Sequence, residues 1–220
     1  VSPQQLLFKP VGRRKTHMQT SILNSFAFLH DNLDRLASAV IPLWHPLGFV
    51  SCVIDESPEK YVTRVHFWPP GERRVKNPDW PIHTHSYALR SLVLSGAVRD
   101  LQYRIETGDQ WCIYTVNYYE GGSEIVRTSE KVNAVPEVDE IRHAGAKYEV
   151  PRGIFHQTQV PPDQAAVTVV SLSNHGPDTP KVLGTEQAEK YPYDRIQFEP
   201  NVFWNAVREA VECHLTNRCR

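Results

Sequence analysis

The sequence predicts an all-β fold, an antiparallel sandwich or barrel, with one helix before it and one after it. Two observations carry this. From Gly48 to about Ser173, short runs rich in Val, Ile, Tyr, Phe and Thr are separated by turn signals at 55–60, 69–72, 106–110, 120–124 and 161–164. Outside that stretch, the apolar residues fall into helical spacing instead.

At the N-terminal side Ile22, Phe26, Leu29, Leu33, Leu36 and Val40 recur in steps of four and three. That spacing predicts an amphipathic helix over 19–41 with one apolar stripe, stopped by Pro42, which lacks the amide the next turn requires. At the other end Val202, Phe203, Ala206, Val207, Ala210, Val211 and Leu215 predict a helix over 201–215, with Asn201 as its N-cap after Pro200. Between barrel and last helix, residues 174–200 contain Pro177, Pro180, Gly184 and Pro192 and are expected to wrap the barrel as an extended connection. The whole chain, 1–220, reads as a single domain.

Composition narrows the function classes. Of 220 residues, 40% are hydrophobic, enough for a sizeable core. The 24 Lys and Arg against 25 Asp and Glu leave a net charge of −1, which speaks against a protein that reads nucleic-acid backbones. No apolar run approaches the roughly 18 residues of a spanning helix, so no membrane partner is expected. Cys52, Cys112, Cys213 and Cys219 are scattered and form no CxxC pair. A disulfide framework and a thiolate zinc site are therefore not expected. The first residues lack the apolar core of a secretory signal, and the expectation is cytoplasmic residence with reduced thiols.

The chemistry concentrates in histidines. His83 and His85, in Pro81-Ile82-His83-Thr84-His85, enter an expected strand, where side chains two apart share a face. Their imidazoles then stand side by side as two adjacent metal ligands. Pro151 and Gly153 predict a tight turn, after which His156 opens another strand. If the sheet closes on itself, His156 faces the pair and completes a three-imidazole site.

Residues 145–156, Gly-x5-Pro-x-Gly-x2-His, fit every one of those fixed positions of the second cupin motif, and His83, His85 and Gly96 fit the first. The chain thus resembles the cupin superfamily over roughly 48–173, which implies an antiparallel jelly-roll barrel. The motif's glutamate slot holds Leu89 or Arg90, depending on the flank counted from, and its trailing asparagine is Val160. A three-histidine site without glutamate is similar to the thiol dioxygenases, of which cysteine dioxygenase is the best known, and this resemblance implies Fe(II) as cofactor. The departures are equally specific. The slot of that enzyme's carboxylate-binding arginine falls on Ser51, its catalytic tyrosine on Ser173, its paired histidine on Ser171, and its cross-linking cysteine on Leu89 or Arg90.

Three neutral imidazoles leave a divalent cation its full charge and open positions. Such a centre favours an anionic chelating substrate together with O2. The same donors could hold Zn and activate water, and Ni or Mn are further alternatives. Arg90 is a candidate for both catalysis and substrate binding, Arg64 for substrate binding, Tyr87 for catalysis and Tyr103 for substrate contact. Tyr148 is a further candidate hydrogen-bond donor, and His66, in phase with Arg64 and Trp68, belongs either to the cavity or to the sheet. The function expected is a metal-dependent oxygenase, an Fe(II) dioxygenase acting on a small anionic metabolite such as a thiol or amino acid. The alternatives are a non-catalytic small-molecule sensor and a Zn or Mn isomerase or hydrolase. A homodimer is the expected assembly.

Overall fold

A computed structural model describes residues 12–57, 61–185 and 190–216. The chain begins with α1 (Gly12–Asp31) and α2 (Leu33–Ala39). The single helix expected over 19–41 is interrupted at Asn32, whose side-chain amide donates to the Phe28 carbonyl (2.9 Å) while its side-chain oxygen accepts from Arg35. An asparagine offers the backbone such local alternatives, and the helix breaks there. The apolar stripe survives the break, because Ile22, Leu29 and Leu36 all remain buried.

Eleven strands follow among the described residues: β1 (Leu43–Trp44), β2 (Val50–Ser57), β3 (Tyr61–Trp68), β4 (Ala88–Ser95), β5 (Ala97–Tyr119), β6 (Gly122–His143), β7 (Lys147–Val150), β8 (Phe155–Gln159), β9 (Ala166–Ser173), β10 (Lys181–Gly184) and β11 (Lys190–Asp194). The chain closes with α3 (Pro200–Thr216). One sheet has the order β1-β2-β3-β9-β4-β7, and the other β10-β5-β6-β11 with β8 also on β5. Every pairing between these strands is antiparallel. This is the all-β antiparallel architecture with helices at both ends that the sequence predicts.

Alternation on β3 explains the layering. Val65 and Phe67 point to the helices, where they join Leu92, Leu94, Val167, Val169, Phe203 and Val207 in one buried cluster. Arg64, His66 and Trp68 point the other way, into a cavity. Apolar burial on the helix side thus fixes which β3 side chains face the interior. Trp204 closes the helical layer by donating its indole N–H to the Val40 carbonyl at 3.0 Å.

Gly96 lets the chain pass from β4 to β5. Its φ is +72°, and a Cβ there would lie 2.2 Å from the Ala165 carbonyl oxygen, so only glycine fits.

Several local expectations change. The stretch 106–110 is no turn: β5 runs through it, with its register against β6 shifting between Thr107 and Trp111. Asn133 fills the space beside Gly108 and accepts from the Gln110 amide at 3.2 Å, so the polar run is an irregularity inside a long hairpin. Residues 174–200 do more than wrap, since they supply β10 and β11 to the edges of the second sheet. Glu199 rather than Asn201 takes the N-cap position of α3, its carbonyl accepting from the Phe203 amide at 3.2 Å. Pro200 then opens the helix, as its fixed φ and missing amide favour at a first helical position. The turn expected at 55–60 lies partly outside the described residues. Cys52 and Cys112 are free and buried, but Cys213 is disulfide-bonded, which corrects the expectation of reduced thiols throughout. Among the described residues, no helix is long and apolar enough to cross a membrane.

Candidate metal centre and its cavity

Residues 82–84 form no regular strand, contrary to the expected strand setting of His83 and His85. They are instead pinned from both sides. The His83 amide donates to the His156 carbonyl (2.9 Å) and the His156 amide to the His83 carbonyl (2.8 Å). On the other flank, the Thr84 amide donates to the Lys181 carbonyl and the Leu183 amide to the Ile82 carbonyl. His83 and His156 are thus a directly opposed antiparallel pair, and such partners project to the same face. His85 follows two residues on, and the turn amide of Gly153 donates to its carbonyl at 3.1 Å. The Pro151–Gly153 turn therefore does two things: it starts β8, and it ties down the loop carrying His85.

The three rings converge as a result. Centroids are 4.6 Å apart for His83 and His85, 4.5 Å for His83 and His156, and 5.0 Å for His85 and His156. One ring nitrogen from each lies within 4.8 Å of the others. His83 Nε2 is 3.2 Å from His85 Nε2. Two nitrogens bound at about 2.1 Å to one cation are separated by about 3.0 Å at a right angle and about 3.4 Å at a tetrahedral one. The observed spacing lies between these.

Hydrogen bonding orients the donors. His83 Nδ1 lies 2.8 Å from the Pro81 carbonyl, an acceptor only, so this nitrogen carries the proton and Nε2 offers its lone pair. His156 is buried and neither ring nitrogen has a hydrogen-bond partner among the described residues. Leaving a buried polar group unsatisfied costs about 1–3 kcal/mol, which a cation on the lone pair would offset. Burial lowers the pKa of His83, and lowers those of His85 and His156 well below the ordinary imidazole value, with the mutual repulsion of the rings adding to it. All three are therefore neutral at pH 7, the form that binds metal. The residues present fit a divalent metal.

A cavity of about 420 Å³ opens beside the imidazoles, within the roughly 300–1,000 Å³ of small-molecule sites. Arg64 reaches it from β3, its Nε buried and without a partner among the described residues. Tyr87 stacks on His85 with centroids 4.6 Å apart, and burial raises its pKa, so the phenol keeps its proton. A smaller adjoining cavity shares Arg64, His83, His85 and Tyr87 with the first and is lined by Tyr148 and by His66, whose pKa burial pushes down to about 3.

Other candidates lie elsewhere. Arg90 does not line the cavity; its Nε pairs with Glu149 at 3.4 Å and its Nη1 donates to Ser173 at 3.1 Å. Its neighbour Leu89 is the one that faces inward. Tyr103 accepts a hydrogen bond from Gln157 and packs with Ile82, Leu101 and Phe155, apart from the three histidines. Ser171 and Ser173 alternate with Val170 and Leu172, which take the cavity side. Ser51 stands opposite His66, so the cavity's guanidinium comes from the neighbouring strand, two residues before that partner.

Four cavity residues were missed in the sequence: His45, Lys76, His175 and Arg195. His45 precedes β2 and accepts the Leu47 amide on Nδ1 at 3.3 Å, so its neutral ring carries the proton on Nε2. Lys76 is almost fully buried and donates to the Tyr191 carbonyl, and loss of solvent pushes its pKa down to about 8. These four come from loops and from 174–200, where no periodicity reports which way a side chain points. Their charge or imidazole chemistry was the only available signal.

The chain matches no protein-family model and no curated protein. Among solved structures it is similar to the polyketide cyclase RemF from Streptomyces resistomycificus, at 15% identity and TM-score 0.41, over 70% of this chain and 84% of that one. It is also similar to hydroquinone 1,2-dioxygenase in complex with Cd2+ and 4-hydroxybenzonitrile, at 15% identity and TM-score 0.38, over 66% and 72%. An RmlC-like cupin from Shewanella frigidimarina matches at 12% identity and TM-score 0.37, over 62% and 85%.

Proposed function

We propose that the chain is a metal-dependent oxygenase of the three-histidine cupin type, an Fe(II) dioxygenase acting on a small organic anion. The observation that carries this reading is the convergence of His83, His85 and His156 on one point, with both His156 ring nitrogens unpartnered among the described residues. When bound there, Fe(II) would supply Lewis acidity and O2 activation, with coordination positions left for both reactants.

The chain's own residues do the rest. Arg64 provides the cation for an anionic group on the substrate, since its buried Nε has no partner among the described residues. Tyr87, beside His85 and protonated at neutral pH, donates a hydrogen bond toward the substrate's reacting end. His45, which also lines the cavity, presents a second donor through Nε2–H. Phe49, Trp68, Leu89 and Leu172 line the smaller adjoining cavity and keep water out. Arg90 and Tyr103 carry no role in this reading.

Oxygen consumption tests it. Protein loaded anaerobically with Fe(II) and then exposed to a panel of thiols, amino acids, diketones and aryl-substituted carboxylates should take up O2 with at least one of them. Uptake should fall at least about a hundredfold in His156→Ala. Full metal occupancy with no uptake across the panel would instead make the chain a sensor, isomerase or hydrolase.

A further inference from the structure

The cavity walls hold more charge than a three-histidine centre needs. Arg64, Lys76 and Arg195 all line the cavity, and none of its described lining residues is acidic. Arg64 and Arg195 are also close in space: both border a further depression beside Trp44 and Val53, and both fields act on His45 and Tyr87. Arg64 reaches in from β3, whereas Arg195 comes from the chain just after β11, anchored by its own amide on the Gly121 carbonyl at 3.0 Å. No ion pair or side-chain hydrogen bond holds either guanidinium among the described residues. Two like charges kept together in a partly desolvated pocket repel, unless an anion lies between them.

One side of the wall is apolar, while Thr84, Ser86, Ser123 and His175 add polar groups elsewhere on it. Trp80, Val116, Ile125, Val182 and Pro180 form a continuous face on the second-sheet side. The volume of about 420 Å³ exceeds what a free sulfur amino acid would fill.

From this we infer that the substrate is an amphipathic carboxylate, clamped at its anionic end by Arg64 and Arg195 together, with an apolar or aryl body lying against Trp80, Val116 and Val182. The inference deepens the proposed function by naming the substrate class of the same site. Two planar guanidinium forks suit a carboxylate, which can accept from both. The apolar wall contributes through burial, at about 25 cal/mol for each Å² of ligand surface removed from water. A short, fully polar amino acid would leave that wall wet.

The test uses the 220-residue chain stripped of metal, so that anion binding is read apart from metal chemistry. Isothermal titration compares 3-phenylpropionate with 3-phenylpropionamide, which has lost the charge, and with propionate, which has lost the body. The expected result is saturable binding of 3-phenylpropionate, with the amide and propionate each weaker by about tenfold or more. Arg64→Gln and Arg195→Gln should each weaken 3-phenylpropionate by about tenfold and leave the amide unchanged. Arg99→Gln, at an exposed pair with Asp139, should bind like wild type. Equal affinity for acid and amide, no saturable binding of the acid, or wild-type affinity in either cavity-arginine variant would each overturn the inference. The acid–amide comparison needs no variant, so a substitution that fails to fold leaves it standing. Carboxylate binding by a chain that takes up no metal would sink the proposed function and spare this inference; the converse result would do the opposite.

Discussion

At the scale of single residues, protonation decides what the site can hold. From unperturbed histidine chemistry, activity is expected to fall below about pH 6.5. Burial moves that limit, because it depresses the pKa values of His83, His85 and His156 and keeps each ring neutral to lower pH. Metal retention at pH 6 should therefore match that at pH 7.5, and equilibrium dialysis at the two values checks it. Stability carries the same sign. His66 is neutral in the fold to about pH 3, while in the unfolded chain it takes a proton near its ordinary value of 6.5. Its contribution is complete above about pH 6.5 and is lost as pH falls toward 3, by up to about 1.4 kcal/mol per pH unit. The urea midpoint of metal-free protein should drop between pH 7 and pH 5, and less steeply in His66→Gln.

At the scale of elements, the site depends on strands and turns being held in register by packing elsewhere. Leu36 of α2 is buried against the sheet face opposite the cavity, and Leu36→Ala should cost about 2–5 kcal/mol, measured by denaturant unfolding. Gly96→Ala forces a side chain into a left-handed turn and against the Ala165 carbonyl. It should destabilise by more than about 1 kcal/mol, whereas Gly71→Ala, also left-handed but with open space around it, should cost less. These elements also show what the sequence could reveal. The two-residue spacing of His83 and His85 and the Pro151–Gly153 turn before His156 were legible because each is a local constraint. The pairing of His83 with His156 was not, since it depends on main-chain bonds between segments far apart in order. Arg90 was misplaced for the same reason: Leu89 and Arg90 differ by one residue, and only the register of β4 against β7 and β9 decides which of them faces inward. Helix boundaries failed where a side chain competes with the backbone, as at Asn32, or where proline takes the first helical position, as at Pro200.

At the scale of the whole molecule, the two sheets enclose the cavity and the ligand set draws on segments from both sides of it. His156 lies on β8, paired to the second sheet, while the His83–His85 loop leads into β4 of the first. Metal binding should therefore stabilise the entire chain, by about 2.7 kcal/mol at a free concentration a hundredfold above its dissociation constant. The rise in Tm on adding Ni(II) should disappear in His156→Ala. The all-β class and the terminal helices were legible from periodicity, because apolar residues must alternate on a half-buried strand and recur every three or four on a helix. The cationic wall was not legible, since Arg195 and Lys76 reach it from irregular segments that carry no period.

Joint binding of one cation by three imidazoles underlies every chemical role proposed for the cavity. Its most direct test is metal content after anaerobic loading with Fe(II) and desalting, measured on wild type and on His83→Gln, His85→Gln and His156→Gln, with circular dichroism to establish that each is folded. Wild type should hold one metal per chain, and every variant a small fraction of that. Equal metal content in wild type and the three variants, or none in folded wild type, would contradict it.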